Sequence, residues 1–172
     1  MSWMKSLWKW LTAPEQPTWD RDGMNSCTPR AQQVLKCAIE EATRLNRDAV
    51  DTEHLLLGLL KLGQGVPVNV LRKSGLDLNK VRAEVERNTS SSGTQKASET
   101  LPYTETAKRA LGFAVSEAKA LHYAYIGTEH IFLGVLREEE GTGARVLQSL
   151  GVEIKKIRQE IVKELDPNFP GS

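Results

Sequence analysis

The stretch Thr52-Glu53-His54-Leu55-Leu56-Leu57-Gly58 decides the fold, because it returns later in the chain as Thr128-Glu129-His130-Ile131-Phe132-Leu133-Gly134. One constant shift relates the two copies. The same shift aligns Thr28 with Thr104, Glu41 with Glu117, Gly65 with Gly141 and Arg82 with Arg158. Self-similarity of this length without gaps is the mark of a duplicated structural unit. The sequence therefore predicts a tandem repeat.

Each copy carries the pattern of four helices. In repeat one, residues 28–87, we expect Thr28 and Thr52 to be the N-caps of the first two helices. The predicted helices run from there to about Asn46 and to Gly63, and then over residues 68–74 and 77–87. Repeat two, residues 104–165, begins its first two helices at Thr104 and Thr128. Its helices are predicted to reach about His122 and Arg137, and then to cover residues 144–150 and 154–165.

The connecting segments are polar. Residues 88–103 contain Ser, Thr and Gly without an apolar period and are predicted to be a linker, and residues 166–172 a tail. No segment alternates apolar and polar residues as a strand does. We therefore predict an all-α protein of about eight helices in two tandem four-helix repeats.

The first 27 residues differ from the rest, since all four Trp residues lie within the first nineteen positions. Residues 1–12 are predicted to form an amphipathic helix, and residues 13–27 a linker. The helix is too short to cross a bilayer, which needs about 20 apolar residues, and it lacks the features of a signal peptide. Its docking residues would be Trp3, Leu7, Trp8, Trp10 and Leu11.

Three interpretations of this segment stay open. Its opposed Trp and Lys faces suit a membrane surface or a groove on a partner protein. It could instead fold back on the body, or the native protein could begin at Met24.

Charge and cysteine content exclude several classes of function. A formal net charge of +1 gives no global attraction to nucleic acid. Cys27 and Cys37 are expected to be reduced thiols, although a disulfide or a metal pair is the alternative. No metal site and no cofactor are expected.

Catalytic motifs are also missing. The sequence has no phosphate-binding Gly-rich loop, no His-Glu-x-x-His zinc helix and no Gly-x-Ser-x-Gly elbow. Glu53 and His54 are adjacent, so on a helix their side chains diverge by about 100° and do not face one metal. His54 and His130 are therefore interpreted as structural residues, and the chain is not expected to be an enzyme.

The doubled motif resembles the amino-terminal repeat domain of Clp/Hsp100 chaperones, most closely that of the ClpC type. It reads Thr-x-x-Ala-x3-Leu, then Gly/Asp-Thr-Glu-His followed by an apolar run, then Gly-x4-Val-Leu-x3-Gly. The resemblance covers residues 28–165 and implies two four-helix repeats related by a pseudo-twofold axis. It also implies a non-catalytic module that docks substrates and adaptor proteins for the ATPase ring.

The same resemblance implies a site for phosphorylated arginine in each repeat. Glu53 would receive the guanidinium in repeat one, with Thr28 and Arg30 holding the phosphate. In repeat two Glu129 would receive the guanidinium and Thr104 would hold the phosphate. Thr106 replaces the arginine there, so this second site is expected to be weaker. The alternative is that these residues only cap helices, which is worth about 1 kcal/mol per helix.

Partners implied by the resemblance are Clp ATPase or protease subunits, adaptors and substrate proteins, in the cytoplasm. Family members continue into ATPase modules where this chain ends at Ser172. We expect a small stand-alone protein, similar to accessory proteins of plastid Clp complexes, with an excised fragment as the alternative. A second functional hypothesis is a scaffold held peripherally on a membrane by residues 1–12.

Overall fold

The computed structural model describes residue 19, residues 21–89, residues 100–166 and residue 168. Within these residues the chain is helical and contains no strand. The helices in chain order are α1 (Arg21–Asn25), α2 (Pro29–Arg44), α3 (Thr52–Leu62), α4 (Val66–Lys73), α5 (Leu78–Asn88), α6 (Glu105–Ala120), α7 (Thr128–Arg137), α8 (Thr142–Ser149) and α9 (Ile154–Leu165).

The four helices predicted for each repeat are present, as α2–α5 and as α6–α9, which confirms the all-α class. Their ends lie within about two residues of the prediction, the usual uncertainty of helix boundaries. The short helix α1 was not expected, because its residues have the composition of a linker. The amphipathic segment 1–12 lies outside the described residues.

Two of the four expected N-caps are confirmed and two are wrong. Thr28 Oγ1 accepts a hydrogen bond from the backbone N of Ala31 at 3.2 Å, and Thr104 makes the equivalent bond at 3.1 Å. Thr52 and Thr128 are instead the first residues inside their helices, so neither is an N-cap. The Thr52 hydroxyl accepts a hydrogen bond from the other repeat, and the Thr128 hydroxyl donates to Glu129 of its own helix.

Within each repeat the first two helices touch through a glycine. A Cβ at Gly58 of α3 would lie 2.6 Å from the carbonyl oxygen of Val34 in α2. At the equivalent Gly134 of α7, a Cβ would lie 2.9 Å from the backbone N of Ala114 and would collide with the carbonyl oxygen of Ala110. These distances are shorter than van der Waals contact, so the helix backbones can approach this closely only at glycine.

The two repeats are joined by a reciprocal exchange of backbone hydrogen bonds. Thr28 N donates to Ile126 O at 2.9 Å, just before the second copy of the motif. Thr104 N donates to Val50 O, also at 2.9 Å, just before the first copy. The segment that leads into each repeat therefore pairs with the other repeat, as a pseudo-twofold relation requires.

A buried carboxylate ties three helices together in each repeat. Glu117 on α6 is 1% exposed and lies 3.1 Å from Arg158 of α9 and 3.7 Å from Arg137 of α7. Glu41 on α2 is its equivalent and pairs with Arg82 of α5 at 3.2 Å. Since a buried charge without a counter-ion is strongly unfavourable, these pairs fix how the helices dock.

We predict that Gly134→Ala lowers the free energy of unfolding by about 1–3 kcal/mol, because the added methyl overpacks the contact between α6 and α7. The loss should appear in guanidinium chloride denaturation followed by circular dichroism. Gln148→Ala, an exposed change on α8, is the control and should stay within about 0.5 kcal/mol of the parent. Equal stabilities of the two variants would contradict the close approach.

Glu117→Gln should destabilise the domain by about 3 kcal/mol, because it removes the buried negative charge that lies against two largely buried arginines. Thermal and chemical denaturation both report this loss. The matched control is Glu105→Gln on the same helix, where the side chain is 81% exposed and little change is expected. A loss below about 1 kcal/mol for Glu117→Gln would show that the buried pairs do not fix the docking.

Candidate functional site

The two Thr-Glu-His copies form the starts of α3 and α7, and both starts lie at the contact between the repeats. Thr52 Oγ1 accepts a hydrogen bond from Gly143 N at 3.1 Å, at the beginning of α8 in the other repeat. A Cβ at Gly65, at the start of α4, would lie 3.4 Å from Thr128 Oγ1. Thr52 therefore bonds across the pseudo-twofold axis, and Thr128 lies against the glycine at the start of α4.

The histidine of each copy completes the cap of its own helix. Nδ1 of His54 accepts a hydrogen bond from Asp51 N at 2.9 Å, and Nδ1 of His130 accepts from Gly127 N at the same distance. Both rings are fully buried, which lowers the pKa of His54 to about 4 and also lowers that of His130. A neutral, buried imidazole that is already an acceptor is structural, as the sequence indicated, and is poorly placed to act as a base.

Glu53 is held inside the domain. The residue is 4% exposed, and among the described residues its Oε2 has no hydrogen-bond partner. Burial, and then repulsion from Asp51, raise the pKa of Glu53 to about 7. At neutral pH this group is therefore partly protonated, which weakens it as a receptor for a cation.

Glu129 is placed differently, although it occupies the equivalent position. Its side chain is 19% exposed and folds back over Gly127, the N-cap residue. The Thr128 hydroxyl donates to its Oε2 at 3.2 Å. This carboxylate lies at the first turn of α7, where the helix dipole favours negative charge, and solvent can reach it.

The residues expected at the two sites come together between the repeats: each site combines the first helix start of one repeat with the second helix start of the other. We call this the crossed arrangement. The bond between Thr28 and Ile126 places the start of α2, which carries Thr28 and the exposed Arg30, next to the segment that leads into α7 and its Glu129. Glu53 lies elsewhere, because the short loop 45–51 joins the start of α3 to the far end of α2, a 16-residue helix about 24 Å long. We call Thr28, Arg30, Gly127 and Glu129 the Glu129 site.

The other crossed set forms around Glu53. The bond between Thr104 and Val50 places the start of α6 beside the start of α3. We call Thr104, Thr106, Asp51 and Glu53 the Glu53 site. The sequence grouped Glu53 with Arg30, but the helix that carries Glu53 begins next to the start of α6, which carries Thr106.

Sequence reasoning missed two features of these sites. Asp51 and Gly127, the actual N-caps, differ between the copies, and this difference was visible in the aligned repeats. Tyr125 is 64% exposed and lies one residue before Ile126, so it borders the Glu129 site. An isolated exposed aromatic residue gives no periodic signal in a sequence.

No group of His, Cys, Asp and Glu in the described part of the chain has the geometry of a metal site, and Cys27 and Cys37 are free thiols. Burial raises the pKa of Cys27 to about 11. No single described helix is long and apolar enough to cross a membrane, and only α3 and α4 taken together, bent by 88°, would pass by length and composition.

Sequence relatives point to one family. The Clp repeat (R) N-terminal domain matches residues 26–142 and 102–169. ClpC/MecB, a negative regulator of genetic competence in Bacillus subtilis (strain 168), is 44% identical over 145 residues. That match covers 84% of this chain but only 18% of the relative. The ClpC ATP-binding subunit of the Clp protease from Staphylococcus aureus (strain USA300) is 45% identical over 138 residues, which are 80% of this chain and 17% of that protein.

Solved structures show the same fold. The N-terminal domain of the chaperone ClpD from Arabidopsis thaliana superimposes with a TM-score of 0.68 at 28% identity, over 83% of this chain and 96% of that one. The ClpV N-domain in complex with a VipB peptide has a TM-score of 0.70 at 16% identity, over 94% of this chain and 99% of that one. With its doubled motif, its crossed repeats and these relatives, the chain belongs to the Clp repeat N-terminal domain family.

Proposed function

We propose that this chain is a non-catalytic docking module that binds protein substrates or adaptors for a Clp chaperone or protease, and that its ligands include proteins phosphorylated on arginine. The observation that carries the proposal is the Glu129 site, where a reachable carboxylate and an exposed guanidinium lie beside a capped helix start. Since the chain spans less than a fifth of the relatives' length, the partners of those whole proteins are proposals for it.

Phosphoarginine presents two charged ends, a guanidinium and a phosphate, on one side chain. The Glu129 carboxylate matches the guanidinium fork and can accept charge-assisted hydrogen bonds from it. The exposed Arg30 at the start of α2 suits the phosphate, because its guanidinium carries the opposite charge and the positive end of a helix dipole favours an anion. The Glu129 site therefore offers complementary charges to both ends of the ligand.

The fold also supports peptide binding in general. The ClpV N-domain, which shares this fold, was solved with a VipB peptide. Exposed Tyr125 and the 42% exposed Met24 lie next to the bridge between Ser26 and Ile126. They supply apolar surface beside the charged site, where residues flanking a phosphoarginine would pack.

We predict that a fluorescent peptide containing one phosphoarginine binds with a single dominant affinity, measured by anisotropy. Glu129→Ala and Arg30→Ala should each weaken binding about tenfold or more, because each removes a charge partner of the ligand. Glu53→Ala should weaken it by less than about threefold, since that carboxyl is buried and partly protonated.

Two controls accompany this measurement. The same peptide with unmodified arginine tests the need for the phosphate, and Glu105→Ala tests an exposed carboxylate outside the site. Loss of binding on Glu53→Ala with none on Glu129→Ala would contradict the crossed assignment. Equal affinity for the modified and unmodified peptides would remove phosphoarginine from the proposal.

A further inference from the structure

The two copies of the motif are preceded by different N-cap residues, Asp51 in repeat one and Gly127 in repeat two. Their backbones have nearly the same extended conformation, with φ −117° and ψ −180° at Asp51 and φ −94° and ψ 177° at Gly127. Neither position needs glycine for its backbone angles. The presence or absence of a side chain is therefore the difference that matters.

The space above Gly127 is used by Glu129. A Cβ added at Gly127 would lie 2.7 Å from Cδ and 2.8 Å from Oε2 of Glu129, too close for both to stay in place. In repeat one Asp51 has a Cβ at this point, and its carboxylate accepts a hydrogen bond from Thr52 N at 2.7 Å. The Asp51 side chain therefore takes the place that is equivalent to that of the Glu129 carboxyl. The carboxyl of Glu53 lies buried, and its Oε2 has no hydrogen-bond partner among the described residues.

The larger electrostatic effect on the Glu53 carboxyl, like its burial, disfavours the ionised form. Asp51 repels its ionised form, while Arg47 has the weaker, opposite effect. The starts of the neighbouring α6 and α8 carry Glu105 and Arg145, which are both exposed; Glu105 is paired with Lys108 at 2.9 Å. Burial remains the largest cause of the raised pKa of Glu53.

We propose that Asp51 is a specificity-determining residue that excludes the Glu53 carboxyl from the place occupied by Glu129, so that the domain presents one strong site for a phosphoarginine guanidinium instead of two. The ligand named in this inference rests on the proposed function. The placement of Glu53 does not, because it can be measured without any ligand.

The first test is a carboxyl titration of Glu53 by ¹³C NMR in the labelled protein. Asp51→Gly should lower the pKa of Glu53 by at least about one pH unit, because the carboxyl gains the open place and loses a repelling charge. Asp51→Asn keeps the Cβ and the cap, so it should lower the pKa of Glu53 by less than half as much. An unchanged pKa in Asp51→Gly, or equal shifts in the two variants, would overturn the proposal.

The second test measures phosphoarginine peptide binding by calorimetry. Thr106→Arg alone should add no second site, because Glu53 is still excluded. The double variant Asp51→Gly/Thr106→Arg should add a second site within about tenfold of the first. Conversely, Gly127→Asp should weaken the site of the parent about tenfold or more, with folding checked by circular dichroism.

The outcomes separate the two proposals. A second site in Thr106→Arg alone, or unchanged affinity in Gly127→Asp, would overturn the role of the N-cap residue. If no variant binds phosphoarginine, the proposed ligand fails, and the titration of Glu53 still decides the role of Asp51. Because Asp is a good N-cap, Gly127→Asp remains a usable variant should Asp51→Gly fold poorly.

Discussion

The backbone exchange between the repeats is the constraint on which the rest of the structure depends. Val50 and Ile126 each hydrogen-bond the segment that leads into the opposite repeat, and α3 and α7 contact the helices α8 and α4 across the same boundary. Neither repeat can satisfy these backbone groups alone, and buried backbone groups are costly when they are left unpaired. The two repeats therefore form one cooperative unit, and the surfaces at their junction are composite.

The Thr-Glu-His motif divides three physical tasks among three consecutive residues. The first turn of a helix points successive side chains about 100° apart, so each can face a different partner. The threonine of the first copy bonds the other repeat, and the histidine of both copies accepts from the N-cap backbone. The glutamate lies in the first turn, buried in the first copy and partly exposed in the second. Two of these tasks are structural, so only the glutamate is left to take part in binding.

Local structure could be predicted from this sequence, whereas the grouping of the site residues could not. Helix extents followed from apolar spacing and from caps such as Thr28, because both act within a few residues. The N-caps of α3 and α7 were missed by one residue, because Thr52 and Thr128 are themselves of a favoured N-cap type and directly follow the actual caps. The crossed pairs were missed because an exact duplication looks the same whether its parts pair within a repeat or between repeats.

That exchange also gives the differences between the copies a physical meaning. If each site were built within one repeat, Arg30 would share a site with Asp51, and Thr106 would share a site with Gly127. Each site would then have one favourable and one unfavourable residue. In the crossed arrangement Arg30 joins Gly127 and Glu129, while Thr106 joins Asp51 and Glu53. Under the proposed function, both changes expected to weaken ion binding thus fall on one site, and both residues expected to favour it remain on the other. A duplicated domain can relax one site in this way without disturbing the second, because the structural roles of the motif are kept in both copies.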